Sequence, residues 1–280
     1  MSKHAVVTGG TKGIGKEICR QLAEKGYSVL MIGRDKAAGE ALQTEISREF
    51  PGSNITYQFG DLGSIKTTRE LVRQIQNHFS TIDLLVNNAG IWPTELSLNE
   101  DGLERAFMVN HLAPFILTQG LISQLQQNSP SRVVMVNAGL YINGKADPEE
   151  TPYGKDFHKI KTYANTKLCN VLMTLKLAER LQNHKITVNA LHPGVVKTEL
   201  GDLGGILGAI LKFVKLFWLS PSKGAEAPVW VSTAPELEGI TGKYYDKTKE
   251  MDLAENAKDE NLQTAIWKKS LELTGIQWED

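Results

Sequence analysis

The stretch that most constrains this chain is Thr8-Gly9-Gly10-Thr11-Lys12-Gly13-Ile14-Gly15, because of what flanks it. His4-Ala5-Val6-Val7-Thr8 is a short apolar run rich in β-branched residues, the pattern of a buried strand. Residues 16–25 follow with Ile18 and Leu22 at helical spacing. A strand, a glycine-rich turn and a helix in this order let the backbone turn tightly and approach a pyrophosphate. The start of the helix then offers that group free N–H donors and partial positive charge. A plain glycine-rich connection has similar letters, but here both flanks match. The spacing is Gly-x-x-x-Gly-x-Gly rather than Gly-x-Gly-x-x-Gly. Gly9, Thr11, Lys12, Gly13, Ile14 and Gly15 are therefore candidate dinucleotide-binding residues.

The alternation continues along the chain. Strands are expected over 27–32, 54–59, 82–86, 131–136, 185–191 and 241–245. Helices are expected over 36–50, 64–79, 103–109, 115–127, 162–180, 221–233 and 261–273. This pattern predicts a single-domain α/β fold, a Rossmann-like doubly wound parallel sheet with helices on both faces. Its ligands belong at the carboxyl ends of the strands. With 280 residues, 41% of them hydrophobic, residues 1–280 suit one domain with a sizeable core. Residues 140–161 are polar and rich in Pro, Gly, Asp and Lys, and read as a long loop.

The strand ends carry the chemistry. The second strand closes with Gly33-Arg34-Asp35. An acid at this point accepts from a ribose 2′-hydroxyl, whereas an arginine accommodates a 2′-phosphate. Arg34, with Lys12 in the glycine loop, favours NADP(H), and Asp35 suits the N-cap of the next helix. Asp61, with Leu62 beside it, ends the third strand and fits either an adenine amine or a cap. Asn87-Asn88-Ala89-Gly90 ends the fourth, small enough for close cofactor approach and able to pin neighbouring strands. Asn110 interrupts a helical pattern, the mark of a kink or a bound water.

Tyr163 and Lys167 lie four residues apart in a run free of Pro and Gly, so they share a helix face. An ammonium near a phenol favours the phenolate and lowers the phenol pKa, which suits a proton donor.

Net charge is −1 with opposite signs interspersed, so no nucleic-acid partner is expected. Two cysteines, Cys19 and Cys169, both in expected helices, suit reduced thiols. No signal-peptide core or membrane span stands in the sequence, so a cytoplasmic location is the default. No metal site is expected. Residues 198–220 are glycine-hinged and then apolar, with Lys212 and Lys215 on one face. They read first as a lid over an apolar substrate. A peripheral lipid-surface helix and a subunit contact are the alternatives.

Thr8-Gly9-x-x-x-Gly13-x-Gly15, Asn87-Asn88-Ala89-Gly90, Asn110, Tyr163-x-x-x-Lys167 and Pro193-Gly194 together resemble the short-chain dehydrogenase/reductase family over nearly the whole chain. Gly33-Arg34-Asp35, Val109-Asn110-His111-Leu112 and His192-Pro193-Gly194-Val195-Val196 look like its retinol-dehydrogenase-like branch. The resemblance implies Tyr163 as general acid or base and Lys167 as its pKa partner and ribose ligand. It implies that Asn110 organises a water leading to Lys167. Gly9, Gly13 and Gly15 would hold pyrophosphate, Asp61 the adenine and Asn87 the adenosine ribose region. Val195 and Thr198 would lie near the nicotinamide amide, Ala89, Gly90, Pro193 and Gly194 would also contact the cofactor, and Lys12 and Arg34 would face the 2′-phosphate. Homo-oligomers are common in such a family.

One position departs from that pattern. The serine expected at the end of the fifth strand falls on Ala138, in Val134-Met135-Val136-Asn137-Ala138. Losing one oxyanion donor costs about 10²–10³ in rate. Asn137 and Tyr141 are candidate substitutes, and Trp92 a further candidate substrate contact. The expected activity is NADPH-dependent reduction of a small apolar carbonyl. Reduction of a conjugated C=C bond in an enone, or an NADP-binding sensor or scaffold with little catalysis, are the alternatives.

Overall fold

The computed structural model describes residues 2–127, 130–196 and 219–278. Eight strands form one sheet: β1 (His4–Thr8), β2 (Ser28–Gly33), β3 (Ile55–Phe59), β4 (Leu84–Asn87), β5 (Ser131–Val136), β6 (Ile186–His192), β7 (Tyr244–Asp246) and β8 (Lys249–Met251). Their order is β3-β2-β1-β4-β5-β6-β7-β8. Pairing is parallel from β3 to β7, and only β8 runs antiparallel, against β7. The order reverses between β1 and β4, and the crevice for a ligand opens above that switch point.

The helices are α1 (Gly13–Glu24), α2 (Lys36–Glu49), α3 (Ile65–His78), α4 (Ala113–Gly120), α5 (Ile122–Gln127), α6 (Lys161–Leu181), α7 (Pro221–Thr233) and α8 (Glu260–Thr274). Two apolar cores flank the sheet. In one, Val6, Leu30, Val133 and Met135 meet α3, α4, α6 and α8 through Leu71, Phe115, Leu172 and Trp267. In the other, Val7, Met31, Val134 and Leu191 meet α1, α2 and α7 through Ile18, Leu22, Leu42 and Val229. Successive strand residues enter opposite cores because side chains alternate with period two. This is the predicted doubly wound domain.

Helix starts follow local chemistry. The Asp35 carboxylate accepts from Ala38 N at 3.0 Å and caps α2, and Ser64 caps α3 from Thr67 N at 3.2 Å. Each such cap stabilises by about 1 kcal/mol.

Three expectations need correction. Residues 140–161 are not a plain loop, since Gly139–Asn143 and Thr151–Tyr153 form 3-10 turns. The sheet is not wholly parallel, because Lys247 adopts φ 56° and turns the chain back into β8. The helical run through Asn110 is broken more sharply than a kink. Met108–Leu112 is a π turn between the short helical turn Arg105–Phe107 and α4. The expected lid, 198–220, lies outside the described residues except for Leu219 and Ser220. Leu219 N donates to Val195 O at 3.0 Å, and Val196 and Leu219 form a parallel bridge. Among the described residues no helix is long and apolar enough to cross a membrane.

Candidate active site

The glycine loop is built for close approach. Gly9 has φ +63°, and a Cβ on Gly15 would stand 2.0 Å from the Gly9 carbonyl oxygen. Helix α1 begins directly after Lys12 with no side chain capping its first N–H groups. Twelve residues of helix behind an uncapped start make an anion cradle, and the residues present fit a dinucleotide pyrophosphate. Asn88, outside the expected ligands, fixes this loop. Its Nδ2 donates to Thr8 O at 2.9 Å and Gly9 O at 3.3 Å, while Thr8 Oγ1 accepts from Asn88 N and Ala89 N. The Asn-Asn-Ala-Gly run carried that signal, and its pinning role was legible in kind though not in partner.

At the end of β2, Thr11 packs against Gly33, where a Cβ would stand 2.5 Å from Thr11 Cγ2. Arg34 is exposed, and Lys12 Nζ lies 3.9 Å from Asp35 Oδ2 in an exposed pair. Such a pair contributes little, so both cations are free to meet an anion. Ile14 is half-buried and Leu62 buried. Asp61 accepts from Gly63 N at 3.1 Å, a tight turn of its own rather than a helix cap. The Asn87 amide donates into the core, to Thr118 Oγ1 at 3.3 Å and Met135 Sδ at 3.4 Å.

On the other side of the switch point, α6 presents Tyr163 and Lys167 to one space. Both are buried, with Lys167 Nζ 5.6 Å from the Tyr163 ring centroid. Lys167 Nζ donates to Val136 O at 3.2 Å. A Cβ on Gly90 would lie 3.4 Å from Asn110 Oδ1 and 3.6 Å from Lys167 Nζ, so these three residues converge. The π turn aims Asn110 inward. Its Oδ1 accepts from Ile91 N at 2.7 Å, and its Nδ2 donates to Ile91 O at 2.9 Å and Thr166 Oγ1 at 3.1 Å. Pi turns recur at functional sites because they expose backbone that a regular helix would consume.

The expected lowering of the phenol pKa is not what burial produces here. Desolvation holds the Tyr163 phenol well above its usual range. The same cause lowers Lys167 from 10.5 to about 8. Both groups are thus pushed toward neutrality.

Around Ala138, Asn137 and Tyr141 are engaged in bonds of their own. Ala138 is extended at φ −144° and its N donates to Asn137 Oδ1 at 2.8 Å. The Asn137 Nδ2 donates to Lys167 O at 3.0 Å, tying the end of β5 to α6 at Lys167. Tyr141 is buried against Tyr244, and its hydroxyl accepts from Ala254 N at 3.2 Å. Asn256 Nδ2 donates to Tyr141 O at 3.0 Å and Gly144 O at 2.9 Å. Asn137 and Tyr141 therefore serve as struts, since the Asn137 amide and the Tyr141 hydroxyl each find an interior partner. Trp92 does reach the site. Its indole lies on the Tyr163 ring, centroids 4.3 Å apart and planes within 5°.

Beyond β6, Gly194 takes φ +88° and turns the chain, leaving Val195 half-exposed beside it. Pro193 is buried there. Thr198 lies outside the described residues. Both cysteines are free and buried.

The short chain dehydrogenase family model matches residues 3–203. Retinol dehydrogenase 13 of Homo sapiens is 35% identical over 282 residues, covering 98% of this chain and 85% of that protein. A crystal structure of an uncharacterised protein from Mycobacterium paratuberculosis has a TM-score of 0.79 at 24% identity, covering 99% of this chain and 95% of its own. A blue fluorescent protein from a metagenomic library, solved in complex with NADPH, has a TM-score of 0.71 at 25% identity over 87% of this chain and 95% of its own. With its sheet order, glycine cradle and Tyr163–Lys167 pair, the chain belongs to the short-chain dehydrogenase/reductase family of oxidoreductases, in its retinol-dehydrogenase-like branch.

Proposed function

We propose that this protein is an NADP(H)-dependent reductase of a carbonyl on a small apolar substrate. The observation that carries the reading is the buried Tyr163–Lys167 pair facing Gly90 and Asn110 beside the glycine cradle. A bound nicotinamide supplies the hydride. This chain's own residues supply the proton and the surroundings. Carbonyl reduction builds an alkoxide, a far stronger base than a phenolate, and it takes a proton readily from a phenol that burial keeps neutral. Desolvation of Tyr163 thus keeps the proton in place for the donor role. Once the proton has left, the phenolate stands beside the Lys167 amine, whose position Val136 O and the Asn137 strut maintain. The second lone pair of Asn110 Oδ1 is left to hold a water toward Lys167, since both amide hydrogens are used.

Preference for the 2′-phosphate rests on Arg34 and Lys12, exposed at the end of β2. Asp35 supports it, because its carboxylate is directed to the α2 cap. The adenine edge falls to Asp61 and Leu62. Apolar character rests on Ile142, Ile160 and Val195, which are 57%, 46% and 54% exposed along the carboxyl edge of the sheet. A relative named retinol dehydrogenase fits that character. A cytoplasmic homo-oligomer completes the reading as a family expectation.

Ala138 favours one second reading, an NADP-binding sensor with little turnover. The test is NADPH oxidation with a panel of ketones, aldehydes and enones. Turnover of apolar ketones or aldehydes supports the proposal. Tight NADPH binding with no turnover on any of them would move the assignment to the sensor. Turnover confined to enones would move it to C=C reduction. In the same assay Ala138→Ser is expected to raise kcat by about 10–100-fold, part of the range that one oxyanion donor is worth.

A further inference from the structure

We propose that Trp92 is the specificity-determining residue of this site, and that it restricts turnover to carbonyls that are unbranched or flat at the adjoining carbon. The inference rests on the carbonyl-reductase reading above and adds a shape rule to it. The indole covers one face of the Tyr163 ring at 4.3 Å and 5°, and Tyr163 is only 5% exposed.

The indole is held at both ends. Its Nε1 donates to the Lys159 carbonyl oxygen, just ahead of α6. Its backbone follows Ile91, whose N and O are both bonded to the Asn110 amide. Pro93 comes next and fixes the chain on the other side. Removing the indole from the phenol therefore breaks a hydrogen bond and a stacked contact together. The indole is partly exposed, so its far side is a wall rather than core.

A carbonyl that accepts the Tyr163 proton must bring its oxygen within hydrogen-bond reach of the phenol oxygen, about 2.6–3.2 Å. With one ring face covered, that approach runs along the ring edge and past the indole. The first carbon on that side of the carbonyl then lies against a rigid plane. A straight chain or a flat conjugated group lies along such a plane. A quaternary carbon projects on both sides and meets it. Ile160, immediately ahead of α6 and 46% exposed, continues the same apolar wall beyond Lys159.

The test compares two saturated methyl ketones of equal carbon number, one straight and one carrying a tert-butyl group beside the carbonyl. The native enzyme is expected to prefer the straight ketone in kcat/KM. In Trp92→Leu the ratio of branched to straight should rise about tenfold or more, the scale of a reshaped pocket, with NADPH affinity unchanged. Trp92→Phe keeps a stacked ring but loses the bond to Lys159, and should fall between the two. It also stands in if the leucine variant does not fold. An equal loss on both ketones with an unchanged ratio in the folded variants would assign Trp92 to packing and overturn the inference alone. A native enzyme that reduces neither ketone nor any other carbonyl would remove this inference together with the function on which it rests.

Discussion

The two sides of the crevice are made differently. On the β1–β2 side the site is backbone: Gly9 at positive φ, Gly15 without room for a Cβ, and an uncapped helix start. On the β5–β7 side it is side chains tied to distant backbone, with Asn137 on the Lys167 carbonyl and Tyr141 on Ala254 N. A backbone site tolerates few substitutions but needs no distant partner. A side-chain site can change its chemistry at one position while the rest of the frame stays in place.

Variants can break or sharpen that contrast. The largest effect is expected from Tyr163→Phe, with kcat falling about 10²–10⁴-fold as the proton donor is lost. NADPH affinity, measured by fluorescence, should be unchanged. If binding falls as far as turnover, the two sides are not separable.

Lys167→Met probes the cost of the side-chain half. Lys167 is charged below about pH 8 in the folded protein and up to 10.5 when free. Between those values the unfolded chain holds a proton that the folded one does not, so stability rises with pH across the window. The full cost is present below about pH 8. Removing the amine should stabilise the unliganded protein at pH 7 by up to about 3 kcal/mol and flatten its pH profile above 8. Urea unfolding at pH 7 and pH 10 reads both, and a less stable variant at pH 7 would sink the idea.

Gly15→Ala should weaken NADPH binding about 100-fold, the scale of a 1 Å misplacement, because its Cβ would stand 2.0 Å from Gly9 O. Near-native affinity would mean that the loop yields more easily than a backbone cradle should. The smallest effect is expected from Arg34→Ala, a fall of about tenfold in the preference for NADPH over NADH, one charge-assisted contact. An unchanged preference would place phosphate recognition elsewhere.

The contrast also explains what was legible in the sequence. The glycine cradle, the Asp35 cap and the shared face of Tyr163 and Lys167 depend on residues within a turn or two, and spacing reveals them. The directions of Asn87, Asn137 and Tyr141 depend on partners 30 to 113 residues away, at Thr118, Lys167 and Ala254. Residue type at a strand end says that an amide or phenol is present, but not which neighbour reaches it first. The π turn at Met108–Leu112 left one trace, a helix-breaking Asn110. The turn into β8 left less, because it sits on Lys247 where Asn or Gly is usual. The raised phenol pKa was hidden because burial outweighs a cation 5.6 Å from the ring.

The bonds from Ala254 and Asn256 to residues 141–144 have a consequence in time. A ribosome delivers the chain from its N-terminus, so the glycine cradle and the catalytic helix emerge long before Asn256. The Gly144 carbonyl receives its bond from Asn256 only some 112 residues later. A nascent chain can therefore form its glycine cradle while the turn at 141–144 still lacks the bonds from Ala254 and Asn256.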